Sequence, residues 1–151
     1  GTPQTMQAEP QYEDVVEDVR SFLEGQASRA IEAGLSAERL WIDPGIGFGK
    51  SLEHNLALLA ALDRFGSLGY PVLVGASRKR FIGAIGGDPV HQRLGGSLAA
   101  IADTARLPRA VVRVHDVQAT RQFLQVQARI RATRAQQLSG AVRDEPASEE
   151  T

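Results

Sequence analysis

RLWIDPGIGFGKS, at residues 39–51, joins a short apolar run, a glycine-rich loop and a serine suited to start a helix. The run at 39–42 predicts a strand that ends at Asp43-Pro44-Gly45. Ser51 is a good helix N-cap. Beyond it, apolar residues recur at helical spacing and predict a buried stripe formed by Leu56, Leu59, Ala60, Leu62 and Phe65. The sequence therefore predicts a strand, a loop and a helix in succession.

The same unit occurs twice more along the chain. Apolar runs at 71–75 and 110–114 predict two further strands, and helical spacing follows them at about 91–106 and 117–133. An amphipathic helix is predicted ahead of all three units, at 12–34. Strands that are apolar on both faces and joined by crossover helices are typical of a buried parallel sheet. The sequence thus predicts an α/β fold.

Composition narrows the class of protein. The chain has 151 residues, 42% of them hydrophobic, which is enough apolar material for the core of one domain. Its formal net charge of -1 argues against electrostatic capture of nucleic acid or of an anionic membrane. The lack of cysteine excludes disulfides, thiolate zinc sites and a cysteine nucleophile. No apolar run approaches the ~20 residues that span a bilayer, and we predict a cytoplasmic protein.

Polar residues stand where each predicted strand ends. Asp43 follows the first strand, Ser77 and Lys79 follow the second, and Arg113 and His115 close the third. In α/β barrels and open α/β sheets, the carboxyl ends of the strands carry the chemistry. Three successive strands that bring polar side chains to one rim predict a functional site there.

The glycine-rich loop is not a nucleotide-binding signature. Gly49-Lys50-Ser51 matches the end of a phosphate-binding P-loop, but Pro44 occupies the position of its first glycine, and the alternating glycines do not fit G-x-G-x-x-G either. Asp43 has two acceptor oxygens for a planar pair of donors, or it caps the loop; both interpretations remain open. The glycines of Gly95-Gly96-Ser97 are interpreted as packing contacts at the start of a helix.

The loop after the second strand is rich in cations. Ser77 and Lys79, at the end of the strand, are predicted to contact an anion or a ring, whereas Arg80 is predicted to lie in a solvated turn. His54 and His91 stand alone on predicted helical or loop segments, and we interpret them as surface or helix residues and not as ligands.

Arg113 and His115 alternate along the third strand and are therefore predicted to point to the same face. An arginine beside a histidine at a strand end suits a phosphate group. A buried strand does not ordinarily carry an arginine without a partner. The alternative is an internal salt bridge between Arg113 and Asp116 or Asp43.

Four segments in order resemble the dihydropteroate synthase family of pterin-binding enzymes. They are Asp43-Pro44-Gly45-Ile46-Gly47-Phe48-Gly49-Lys50, Gly75-Ala76-Ser77-Arg78-Lys79-Arg80-Phe81-Ile82-Gly83, Arg93-Leu94-Gly95-Gly96-Ser97-Leu98-Ala99 and Arg113-Val114-His115-Asp116-Val117. Residues 1–7 also look like the loop that follows the family's fifth strand. The resemblance runs from residue 1 to about residue 133.

The resemblance implies part of a (β/α)₈ TIM barrel. It identifies the segments at 39–42, 71–75 and 110–114 as strands six, seven and eight, and strands one to five are absent. A complete barrel takes ~250 residues. We therefore expect residues 1–133 to be about the C-terminal half of a pterin-binding barrel, inactive alone, and residues 134–151 to be a disordered tail.

The activity that the resemblance implies is that of a transferase in folate biosynthesis. The family joins p-aminobenzoate to 6-hydroxymethyl-7,8-dihydropterin diphosphate, releasing pyrophosphate and forming 7,8-dihydropteroate. By similarity, Asp43 receives the pterin's amino and ring N–H groups. Phe48 packs on the aminobenzoate ring, and Ser77 holds its carboxylate.

The expected catalytic residues are Lys79, Arg113 and His115. By similarity, Lys79 contacts the pterin and flanks the aminobenzoate. Arg113 lies against the face of the pterin and, together with His115, binds the leaving diphosphate. Catalysis would then consist of positioning and of charge stabilisation of the departing pyrophosphate.

The resemblance also implies a cofactor and partners. The cofactor is Mg²⁺, whose protein ligand lies in the missing N-terminal half, so we expect no metal ligand in this chain. The missing half-barrel is the expected partner, and the full-length protein is expected to form a homodimer. Two other hypotheses stay open: a pterin-binding module without catalysis, and a structural chain that completes a barrel made of two chains.

Overall fold

The computed structural model describes residues 12–141, without the side chains of residues 140 and 141. The predicted loop at residues 1–7 and the part of the predicted tail beyond residue 141 lie outside this description. In the part that is described, helices surround a small parallel sheet. The α/β class predicted from the sequence is confirmed.

The first helix, α1, spans Val15–Glu32, so the helix predicted at 12–34 is confirmed. Its N-terminus is capped by Asp14, whose carboxylate accepts hydrogen bonds from the N–H groups of Val16 and Glu17 at 3.0 and 3.1 Å. Gly34 follows the helix with φ 95°, which suits a glycine after a C-cap.

The sheet of the described residues contains three parallel segments. Strand β1 (Val72–Val74) pairs in parallel with strand β2 (Ala110–Val112). Ile42 joins the opposite side of β1 through a parallel bridge to Val72. The spatial order is therefore Ile42, β1, β2, and all three segments present their carboxyl ends at the same edge of the sheet.

The first predicted strand, at 39–42, is wrong in extent. Ala37–Arg39 forms a 3-10 turn, and only Ile42 pairs with β1, donating to Pro71 O at 3.0 Å and accepting from Leu73 N–H at 2.8 Å. The pairing cannot continue, because Pro44 has no N–H to donate to the ladder.

The second and third strands, predicted at 71–75 and 110–114, are confirmed but shorter. The last ladder bond runs from Arg113 N–H to the final carbonyl of β1, at 3.0 Å. Beyond it, His115 N–H donates instead to Ser77 Oγ at 3.2 Å. The third segment therefore leaves the sheet just before its polar residues.

The remaining described helices are α2 (Leu52–Ala60), α3 (Leu62–Gly66), α4 (Arg80–Gly86), α5 (Leu94–Ala99) and α6 (Val117–Ala141), with 3-10 turns at Val90–Gln92 and Ala102–Arg106. Arg80 is exposed, as predicted, but the predicted turn is wrong, because Arg80 begins α4. Burial of Phe81 and Ile82 in the core stabilises this short helix despite its glycines.

Two other predictions of helical extent are corrected. The region predicted to be helical at 91–106 is interrupted, and only α5 within it is an α-helix. The disordered tail predicted from residue 134 is wrong for residues 134–141, which continue α6. Its first five residues, Arg134-Ala135-Gln136-Gln137-Leu138, are all good helix formers, and its polarity is that of a solvated helix face.

The core lies between the sheet and the helices around it. Its largest fully buried side chains are Phe65, Ile46, Leu58, Ile101, Val72, Val74 and Pro44. The predicted buried stripe, which runs over α2 and α3, is wrong at Leu56 and Ala60, which are exposed. The face that packs inward contains Asn55 and Leu58. Among the described helices, none has the length and apolar character needed to cross a membrane.

The sheet ends in open edges. Within residues 12–141, no segment pairs with the outer side of Ile42 or of β2. Beside the β2 edge, between β2 and α6, lies a groove of about 670 Å³ lined by apolar side chains that include Val112, Val114 and Leu124. This surface becomes relevant to the proposed function below.

Candidate active site

The candidate site lies at the carboxyl ends of the three parallel segments. Its residues belong to three loops, at 43–50 after Ile42, at 75–79 after β1 and at 113–116 after β2. Because the segments are parallel and adjacent, these loops meet at one edge of the sheet, as predicted.

The first loop is shaped by Asp43 and by its glycines. Asp43 Oδ1 accepts a hydrogen bond from Gly45 N–H at 2.8 Å, so this carboxylate caps the loop. Within the described residues, no hydrogen bond reaches Oδ2 of the exposed carboxylate. The two interpretations of Asp43 are therefore compatible, since one oxygen shapes the loop and the other is available to a ligand.

Asn55 holds the loop in place and was not identified from the sequence. Its Oδ1 accepts from Gly47 N–H at 2.5 Å and its Nδ2 donates to Ser51 O at 2.6 Å. The side chain is 3% exposed. A polar residue on the inward face of an otherwise apolar helix was the available signal, because a buried amide requires partners. His54 forms the capping box with Ser51 and is not a candidate ligand here.

Replacement of Asn55 by alanine is expected to lower the free energy of unfolding by about 1–3 kcal/mol, because it removes the buried amide that hydrogen-bonds Gly47 N–H and Ser51 O. Urea denaturation measures this change. Gln122→Ala, which truncates an exposed amide on α6, is the matched control and should change the stability little. Equal effects of the two substitutions would contradict the role given to Asn55.

Lys79 lies between the first and second loops. Its Nζ donates to Ile46 O and lies 4.1 Å from the centroid of the Phe48 ring, in a cation–π contact. Burial lowers the pKa of Lys79 to about 8; the charge of Asp43 opposes this shift, and the charge of Arg113 adds to it. Asp43, Lys79 and Arg113 therefore lie close enough at the rim for their charges to interact.

The guanidinium of Arg113 packs on the backbone of the second loop. A Cβ atom at Gly75 would lie only 2.7 Å from Arg113 Nη2, so the glycine allows this close approach. Within residues 12–141, no carboxylate forms an ion pair with Arg113. The predicted alternative, an internal salt bridge with Asp116 or Asp43, is therefore wrong. Arg113 is exposed, and its charge is available to a ligand.

Ser77 and His115 form a pair across the second and third loops. Ser77, 6% exposed, accepts His115 N–H at 3.2 Å, and its Oγ lies 3.0 Å from His115 Nδ1. The predicted strand does not extend to His115, because the last ladder bond is made by Arg113 N–H and the chain then leaves the sheet. The side chain of His115 is oriented by Ser77 instead.

The packing contact predicted at Gly95-Gly96-Ser97 is present beside the site. A Cβ atom at Gly96 would collide with Ile82, so this glycine allows α5 to pack against α4. Ser97 is buried and accepts a hydrogen bond from Arg78 N–H at 2.9 Å. Packing, as interpreted from the sequence, is thus the role of this segment.

The described residues offer cations, an aromatic ring and a carboxylate, but no metal centre. Among residues 12–141, no three histidine, aspartate or glutamate side chains lie together as a metal site. No chemical step at this rim is assigned to the Mg²⁺ that the family resemblance implies.

A parallel α/β core carries a cluster of cations, an aromatic ring and a carboxylate at the carboxyl ends of its strands, which is where α/β proteins of this architecture place their ligand sites. The sequence profile of pterin binding enzymes matches residues 1–115, and the chain belongs to that family.

Individual relatives agree with this assignment. Dihydropteroate synthase of Haemophilus influenzae is 48% identical over 126 residues, which cover 83% of this chain and 46% of the relative. The Thermus thermophilus dihydropteroate synthase in complex with 4-aminobenzoate is 50% identical, with a TM-score of 0.78 over 84% of this chain and 51% of that one. The Xanthomonas albilineans enzyme in complex with 7,8-dihydropteroate is 47% identical, with a TM-score of 0.78 over 82% and 47%. The chain thus spans about half the length of the relatives it matches.

Proposed function

We propose that this chain carries part of the active site of a dihydropteroate synthase. The reaction joins the amino nitrogen of p-aminobenzoate to the methylene carbon of 6-hydroxymethyl-7,8-dihydropterin diphosphate and releases pyrophosphate. The observation that carries the proposal is the meeting of Asp43, Lys79 and Arg113 at one rim. Further support comes from relatives that bind 4-aminobenzoate and 7,8-dihydropteroate.

Asp43, Lys79 and Phe48 are proposed to bind the two flat substrates. The available Oδ2 of Asp43 accepts a hydrogen bond from the amino or ring N–H groups of the pterin. Lys79 contacts the pterin and flanks the aminobenzoate, whose ring packs on Phe48. The existing contact between Lys79 and the exposed Phe48 ring keeps the cation beside an aromatic surface. Ser77 is proposed to contact the aminobenzoate carboxylate.

Arg113 and His115 are proposed to bind the diphosphate. As the carbon–oxygen bond breaks, negative charge accumulates on the departing pyrophosphate. A guanidinium that has no ion-pair partner within residues 12–141 stabilises that charge without first giving up a carboxylate. His115, oriented by its hydrogen bonds with Ser77, supplies a second nitrogen to the same group.

The open sheet edges support a proposal about the rest of the barrel. We propose that Ile42, β1 and β2 are the sixth, seventh and eighth strands, and that the other strands pair with the outer sides of Ile42 and β2. The apolar groove between β2 and α6 suits the helices and strands that would cover it. The N-terminal part of the barrel, which carries these other strands, is proposed to hold Mg²⁺. The complete enzyme is proposed to be a cytoplasmic homodimer.

The experiment compares the chain alone with the chain joined to the N-terminal part of the Haemophilus influenzae relative. Pteroate formation and pyrophosphate release are expected only from the joined protein. Turnover by the chain alone would overturn the proposed need for the other strands. A folded joined protein that neither binds pterin diphosphate nor forms product would overturn the proposed function.

The affinity for pterin diphosphate is expected to fall as the pH rises above about 8, the value to which burial lowers the pKa of Lys79. The ligand is anionic and favours the charged amine, so binding above this pH takes up a proton, and the affinity then decreases with pH. Calorimetric titration between about pH 6 and pH 10 covers both protonation states of Lys79.

Lys79→Arg is the control for this pH dependence, because an arginine stays charged over the whole range. We expect its affinity to show no inflexion near the pKa of Lys79. An inflexion of the same size in both proteins would assign it to another group, such as the ligand itself.

A further inference from the structure

The loops after β1 and β2 are tied together by an ion pair that the proposed function does not use. Arg78 donates to Asp116 through two nitrogens, from Nε to Oδ2 at 3.0 Å and from Nη2 to Oδ1 at 2.5 Å. The two residues are far apart in the sequence, and each is next to a proposed site residue. Arg78 precedes Lys79, and Asp116 follows His115.

The backbone of Arg78 is held in an unusual conformation. Its φ is 57°, and it is the one non-glycine residue with a positive φ in the described part of the chain. An L-residue adopts this left-handed conformation only when its surroundings hold it there. Arg78 N–H donates to Ser97 Oγ at 2.9 Å, and Arg78 O accepts from Arg93 Nη1 at 3.1 Å. The conformation directs the Arg78 side chain towards the third loop.

We propose that Arg78 and Asp116 are positioning residues, whose two-fold hydrogen-bonded ion pair fixes the loop that carries Lys79 relative to the loop that carries His115. The Ser77–His115 contact is a second link between the same two loops. The proposal rests on the proposed function for the identity of what the loops bind, but the link between the loops is a property of the chain itself.

The geometry favours positioning over simple stabilisation of the fold. The side chains of Arg78 and Asp116 are 34% and 24% exposed, and ion pairs in contact with water contribute little to stability. The paired geometry of guanidinium and carboxylate is directional, however, and fixes orientation. The hydrogen bonds from the Arg78 guanidinium also hold the pKa of Asp116 below its usual value.

Arg78→Gly is the informative variant. Glycine adopts φ 57° without steric strain, so the backbone conformation is retained while the side chain of the ion pair is removed. In the 151-residue chain, hydrogen exchange of the His115 amide, which donates to Ser77 Oγ, is expected to accelerate by about tenfold. Amides within β1 should be unaffected. Asp103→Asn, which breaks the exposed Arg106–Asp103 ion pair, is the matched control and should leave the His115 amide unchanged.

A kinetic experiment uses the chain joined to the N-terminal part of the Haemophilus influenzae relative. Arg78→Gly and Asp116→Asn are each expected to lower kcat/KM for pterin diphosphate by about tenfold, because the charged groups are no longer held in register. The melting temperature should stay within about 2 °C of the parent. If the pair acts as one unit, the double variant is no worse than either single variant. Arg78→Lys keeps the charge without the fork and should restore only part of the rate.

Each outcome decides the inference. An unchanged rate of hydrogen exchange at the His115 amide in Arg78→Gly overturns it. It is also overturned if the decreases in kcat/KM caused by Arg78→Gly and by Asp116→Asn multiply in the double variant. Accelerated exchange with the expected kinetic losses supports it. Accelerated exchange in a chain whose joined parent forms no product supports the link between the loops while overturning the proposed function, so the two failures are distinguishable.

Discussion

Replacement of Arg113 by methionine is expected to lower the rate of dihydropteroate formation by about 10²–10³-fold, the loss typical of removing one preorganised charge from a transition state. Within residues 12–141 its guanidinium has no ion-pair partner, and it is held in place by close packing on Gly75. Methionine keeps the apolar stem and removes the charge. Pyrophosphate release by the chain joined to the relative's N-terminal part measures the effect.

Two further variants serve as controls for Arg113→Met. Arg113→Lys keeps the charge but not the planar fork, and we expect a smaller loss of rate. Arg29→Met removes an exposed arginine from the last turn of α1 and should leave the rate unchanged. A rate for Arg113→Met that stays within about threefold of the parent would contradict electrostatic stabilisation by this residue. Even a tenfold change corresponds to only about 1.4 kcal/mol of transition-state stabilisation.

Gly47→Ala is expected to weaken binding of pterin diphosphate by about ten- to a hundredfold, because it forces Lys79 out of its position. The new Cβ atom would lie 2.5 Å from Lys79 Cδ, and the backbone at Gly47 has φ 80°. The backbone conformation alone costs an alanine about 1–2 kcal/mol. The collision adds an effect on the ligand-binding cation. Calorimetric titration and thermal unfolding measure the two contributions.

Gly69→Ala is the matched control for Gly47→Ala. Gly69 has φ 85°, but nothing lies within 4 Å of the position that its Cβ atom would take. Both variants should lose a similar amount of stability, whereas only Gly47→Ala should lose affinity. Equal affinities in the two variants would show that the position of Lys79 does not depend on the space that Gly47 provides.

Local signals in the sequence were sufficient to predict much of the fold. The apolar periodicity identifies α1, Ser51 identifies the start of α2, and the short apolar runs identify the parallel segments. α4 gave no such signal, since its sequence contains glycines and its stability comes from burial of Phe81 and Ile82 against other elements. The polarity of residues 134–141 predicted disorder, although the helix propensity of residues 134–138 is high.

Only part of the candidate site, likewise, could be predicted from the sequence. Asp43, Lys79 and Arg113 could be selected because polar residues at the ends of parallel strands meet at one rim. The pairing of Arg78 with Asp116, and of Ser77 with His115, could not be predicted, because each joins loops that are distant in the sequence. The support of Gly47 by Asn55 was missed for a related reason: a helix pattern does not show which backbone N–H a buried amide accepts from.

Within residues 12–141 the outer side of β2 is open, which has a consequence for handling the protein. Unpaired N–H and C=O groups along a strand are a template for the addition of strands from other molecules. The apolar groove beside β2 would favour the same association, since it would bury Val112, Val114 and Leu124. At high concentration the separately expressed chain is therefore expected to aggregate through this edge, and co-expression with a polypeptide that completes the sheet should keep it dispersed.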